Sequence, residues 1–164
     1  MAPDRPFYAM SDIEPDKSFV FPGDELAWLL SRLPGPLPPP LQAIRKTPFQ
    51  EETVRRSLGE KGVLQGEGLA GVVAFVIRAL AGGEGWLSLP PALLVRAPKL
   101  YVLLTPYERR PGAWRITPCP GLAGACALLP PPGETVELGE RGEAPRTLPA
   151  PQGPLYDWLV EQWS

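Results

Sequence analysis

Cys119 and Cys126 are the only cysteines in a chain that has no histidine at all. Without an imidazole the commonest general base and metal ligand is missing, and so is every Ser-His-Asp or Cys-His arrangement. A hydrolase would need a lysine, a carboxylate pair or an N-terminal nucleophile, and no spacing suggests one. The stretch Thr-Pro-Cys-Pro-Gly-Leu-Ala-Gly-Ala-Cys is not a C-x-x-C pair, and two thiols alone do not complete a zinc tetrahedron. The two cysteines read as separate, reduced core thiols; a disulfide across a tight bend is the alternative. No catalytic residue, metal site or cofactor is expected.

Gly66, Gly68 and Gly71 match the string G-x-G-x-x-G. A dinucleotide site needs that string between a strand and a helix in a βαβ unit. Here a helical pattern and only Val63-Leu64 precede it, so it reads as a chance match. The basic residues gather mildly at Arg45, Lys46, Arg55, Arg56 and Lys61. In a winged-helix-like reading Arg55 and Arg56 would contact phosphate. Glu51, Glu52 and Glu60 lie among them, and phosphate binding needs a coherent positive surface. Nucleic acid is therefore the alternative partner and not the favoured one.

The strongest binding signal is C-terminal. After Pro154 the spacing predicts a helix over 154–163 in which Leu155, Trp158, Leu159 and Trp163 share a face, bordered by Tyr156 and Val160. Two exposed tryptophans would cost solubility, so that face must dock, on its own domain or on another subunit. Leu155, Tyr156, Trp158 and Trp163 are the candidate partner-binding residues, for a protein partner or self-association.

Other elements must position these residues. Thr47-Pro48-Phe49-Gln50 reads as a capping box with proline at the first helical position, predicting a helix over 48–61 that ends at Gly62. A second helix over 69–81 is apolar on all sides, so it should be covered on most of them. An earlier helix is expected over 25–33, capped by Asp24. Leu37-Pro38-Pro39-Pro40-Leu41 reads as polyproline II, a rigid connector. Extended patterns follow at 85–89, 92–97, 100–105 and 113–117, the last two as an antiparallel hairpin. Further strands are expected at 122–129 and 135–138, then a surface loop over 139–153. Prolines at so many strand ends suit short strands and edges. Residues 1–20 read as an extended arm before a single compact domain over 21–164. The resulting class is α+β, with three to four helices on one face of a small antiparallel sheet and the terminal helix as a clasp.

Composition limits the function classes. The net charge of −2 gives no global footprint for nucleic acid or anionic membrane. Proline supplies 24 of 164 residues, about three times the usual ~5%. Asparagine is absent and arginine outnumbers lysine. That fits a thermophilic source, or equally a GC-rich genome. The N-terminus lacks the pattern of a signal peptide and no apolar run spans a bilayer, so no membrane role is expected and the cytoplasm is the default location.

Glu-Leu-Ala-Trp-Leu-Leu is followed by proline-rich text, a helix closing in Glu-Lys-Gly-Val-Leu, an apolar helix and an antiparallel sheet. Across 25–129 this order resembles one half of the EspG-type chaperones of ESX (type VII) secretion. The resemblance implies helices packed on an antiparallel sheet and a role in binding a helical client. That family has two related halves and this chain has one, and no functional residue is carried over. The expectation is a non-enzymatic adaptor or chaperone-like interaction domain.

Overall fold

Strands β4 (Gly85–Leu89) and β5 (Ala92–Arg96) pair as a hairpin at the centre of the sheet. They are buried on both faces apart from Arg96, which is why their sequences run apolar without alternating. The computed structural model describes residues 18–33, 37–66 and 68–163. Around the hairpin lie β1 (Phe19–Pro22), β6 (Tyr101–Pro106), β7 (Ala113–Cys119), β8 (Thr135–Glu140) and β9 (Arg146–Pro149). The seven strands run in the order β1-β7-β6-β5-β4-β8-β9, each neighbour antiparallel. A separate hairpin, β2 (Leu64–Gln65) with β3 (Gly68–Leu69), stands apart from this sheet.

Four helices cover one face: α1 (Gly23–Ser31), α2 (Pro39–Arg45), α3 (Glu51–Glu60) and α4 (Gly71–Ala81). Leu26, Leu29, Leu41, Val54, Leu58, Val73, Ile77 and Leu80 meet Phe19, Trp86, Leu93, Val95, Val102, Leu104 and Ile116 there. The opposite face carries α5 (Leu122–Ala127) and α6 (Leu155–Gln162), over Leu87, Leu94, Leu103, Val136 and Leu138. The class is α+β with an antiparallel sheet. The expectation of three to four helices on one face of a small sheet is corrected: among the described residues six helices form, they cover both faces, and the sheet has seven strands. Short proline-bounded strands add up to a wide sheet because Pro22, Pro106 and Pro149 fall at strand ends and Pro118, inside β7, lies beyond the stretch that β1 pairs.

Local differences have local causes. The prolines of 37–41 start α2 instead of a polyproline connector: Pro38 is the N-cap and prolines fill the first helical positions, where no N–H is needed. The capping box at Thr47 does not form. Thr47 donates its N–H to the Ile44 carbonyl, closing the end of α2, and α3 starts at Glu51 after Gln50. Residues 122–127 are helical and not a strand, since a short apolar run does not fix its own period and alanine favours helix. Strand β9 falls inside the segment expected to be a surface loop. Of the arm expected over 1–20, residues 19 and 20 belong to β1, and 1–17 lie outside the described residues.

Two glycines on β4 and β8 set what the sheet can hold. Gly85 pairs with Arg96 on one side and with Glu140 on the other. With no side chain on the middle strand, Arg96 reaches across it, and its Nη2 lies 3.4 Å from Glu140 Oε1. On the opposite face Trp86 lies over its register partner Gly139, where a Cβ would clash with the indole. Gly139→Ala should destabilise the chain by about 1–3 kcal/mol through overpacking. Gly59→Ala, in open space on α3, should stabilise by about 0.5–1 kcal/mol. Urea denaturation of both variants reads the two signs, and a destabilised Gly59→Ala would contradict the exposed placement of that residue.

Candidate functional site

The terminal helix spends its tryptophans on its own sheet. Arg96 and Tyr101 are cross-strand partners on β5 and β6, and together they make a platform for Trp163. The Trp163 and Tyr101 rings stack at 6.1 Å with 16° between their planes, and the Arg96 guanidinium carbon lies 5.4 Å from the Trp163 ring centre. Arg96 also places a cation at the C-terminal end of α6, where the helix dipole is negative. Leu155 and Trp158 pack against the same core around the buried Leu159. Of the four candidate partner-binding residues, Tyr156 is the one left outward-facing, at 42% exposure, with Val160 one turn on.

The basic cluster is divided. Lys61 Nζ lies 2.7 Å from Glu25 Oε1, and Ser57 donates its hydroxyl to Glu25 Oε2 at 2.7 Å. Glu25 is buried at the start of α1, so this trio ties α1 to the C-terminal half of α3. Ser57 and Lys61 both turn to the carboxylate, which makes the trio a clamp and not a serine–lysine dyad. Arg55 faces Glu51 at 3.9 Å one turn away. Arg56 is exposed between Glu52 and Glu60, also exposed; Arg45 is half-buried and Lys46 exposed at the end of α2. Lys61, Arg55 and Arg56 therefore share their surface with acids instead of forming one positive face with Arg45 and Lys46.

Gly66 and Gly68 flank the turn of the β2–β3 hairpin, and Gly71 starts α4. The order is hairpin then helix, not a strand feeding a phosphate-binding turn. Cys119 is buried and Cys126 half-buried, both as free thiols. Burial pushes both thiols up, and Cys119 pushes Cys126 up further. Among the described residues no group of three or more His, Cys, Asp and Glu side chains could hold a metal, and no helix is long and apolar enough to cross a membrane.

The feature that sequence reasoning missed lies on α4. That helix was expected to be covered on most sides, yet Phe75 is 53% exposed. Gly71, Phe75 and Arg78 form an outward line at helical spacing. Glycine and arginine flanking the phenylalanine by four and three positions were the available signal. Phe75 stands in a groove of about 430 Å³ between α4 and the ends of β6 and β7, lined also by Val72, Leu100, Pro118 and Pro120. Lys99 is its one charged lining residue.

No protein-family model matches the chain, and no curated protein matches it in sequence.

Lys61→Met leaves Glu25 buried without its cation and should destabilise by about 1–3 kcal/mol, less than a fully buried pair because Lys61 is 32% exposed. Adding Glu25→Gln should return part of that loss in a double-mutant cycle, and strict additivity would contradict the clamp. The raised thiols give a pH prediction. Their contribution to stability is fully present below the ordinary thiol value of 9.0 and falls as pH rises through the higher folded value. A thiol reagent at neutral pH should modify the folded chain far more slowly than the urea-unfolded chain.

Proposed function

We propose that this chain is a non-enzymatic protein-interaction domain, adaptor- or chaperone-like, that takes an apolar anchor from a partner in the groove on α4. The observation that carries the reading is Phe75, more than half exposed in a groove walled mainly by aliphatic and proline side chains. An exposed aromatic in an apolar concavity is what interface anchors and their pockets have in common. Lys99 at the rim adds charge complementarity, so the preferred occupant is an amphipathic helical segment with a carboxylate beside its anchor. A helical client is also what the resemblance to the EspG-type chaperones implies. Tyr156 and Val160 on α6 offer a smaller second apolar surface on the other side of the sheet. The winged-helix alternative has less support, since Lys61 and Arg55 face carboxylates.

The test is selection from a displayed library of amphipathic helical peptides. The wild-type chain should enrich peptides with a large apolar residue next to Asp or Glu. Phe75→Lys, which changes an exposed position and should leave the melting temperature within a few degrees, should weaken the enriched peptides at least tenfold. Lys99→Glu should shift the enrichment toward basic neighbours. No enrichment, or equal binding by Phe75→Lys, would sink the reading.

A further inference from the structure

The second face of the sheet is not wholly roofed. Helices α5 and α6 pack on Leu87, Leu94, Leu103, Val136, Leu138 and the Cys119 end of β7, and an open cleft adjoins them toward Thr105 and Arg115. There the side chains Thr105, Arg115 and Thr117 share a face: Arg115 pairs with Thr105 on β6 and with Val20 on β1, and Thr117 pairs with Leu103. Together with α5 and the segment after it they wall an open cleft of about 700 Å³. Its body is apolar, with Leu103, Leu128, Leu129 and Pro130 among the lining residues. The cleft is on the opposite side of the sheet from Phe75.

Arg115 is the cation among the described residues that line this cleft, and none of the described acids answers its charge. The guanidinium carbon sits 5.0 Å from the Tyr107 ring centre, a contact with an aromatic face and not with an anion. Among the described residues its Nε is sealed from solvent with no hydrogen-bond partner, and no carboxylate lies within ion-pairing distance. Its guanidinium presents a planar fork suited to a carboxylate. Cation–π contact offsets only part of the cost of its desolvation. Thr105 and Thr117 place two hydroxyls on the adjoining wall. Glu108, exposed, is the one acid among the described lining residues and disfavours a second negative charge.

We infer that this cleft binds a small amphipathic monocarboxylate, with its head on Arg115 and its aliphatic or aromatic body along Leu103 and Leu128. The cleft lies within the range of about 300 to 1,000 Å³ usual for small-molecule sites and is more than large enough for a ligand of about ten heavy atoms. The inference is independent of the α4 groove, so Phe75→Lys should leave it intact.

Octanoate is the probe, titrated calorimetrically into the full chain, with octanol and octylamine as partners that keep the body and change the head. Saturable binding of octanoate, at least tenfold tighter than either comparison ligand, is the expected result. Arg115→Gln should lose at least tenfold for octanoate and little for octanol, with circular dichroism reporting its fold. Should that variant fail to fold, Glu108→Gln, at an exposed position, serves instead, and octanoate should tighten a few-fold. Equal binding of octanoate and octanol, no saturable binding, or an unchanged affinity in folded Arg115→Gln would overturn the assignment.

Discussion

The central hairpin has no polar face. Once β4 and β5 are apolar on both sides, the sheet must be roofed on both, and most of the molecule follows from that requirement. Helices α1 to α4 meet it on one face, and α5 with α6 on the other. Each buried leucine on the hairpin contributes about 1.5–3 kcal/mol only while its roof is in place. The two layers are unequal. Among the described residues two helices stand against four, and the cleft at Arg115 adjoins the smaller layer.

Roofing the second face also explains the treatment of α6. An eight-residue helix is marginal on its own, so its position is set by what it touches. Trp163 on the Arg96–Tyr101 pair fixes one end, and Leu159 is inserted in the core. Aromatic bulk that looks like a binding surface in sequence is here the fastening of the helix. Burial of the tryptophans leaves Phe75 on α4 as the large aromatic most open to solvent among the described residues.

Much of the fold was legible. Strands β4 to β8 and the terminal helix follow from apolar runs, turn residues and Pro154, and the β6–β7 hairpin from the turn between its strands. The helix at 122–127 was not, because Leu-Ala-Gly-Ala-Cys-Ala is too short and too small in side-chain size to declare a period. The helix at 39–45 was masked by its own prolines, which break helices in the middle but open them at the first turn. The candidate sites were less legible still. Arg96 reaching Glu140 requires the β4–β5 hairpin, a third strand from later in the chain and a glycine on the middle one. Arg115 beside Thr105 and Val20 likewise exists only once the register is set. Phe75 was half visible: its neighbours Gly71 and Arg78 marked the polar side of α4, but the all-round apolar pattern hid it.

Strand β9 closes one margin of the sheet with four residues, exposed except for half-buried Leu148. It carries Arg146 at one end and Pro149 at the other. A charged, proline-terminated strand this short is a poor template for a further strand, because it offers few backbone groups and a cation that resists burial. The margin is thereby protected against edge-to-edge aggregation, which a wide antiparallel sheet otherwise invites. It also closes one route by which a partner chain could extend the sheet.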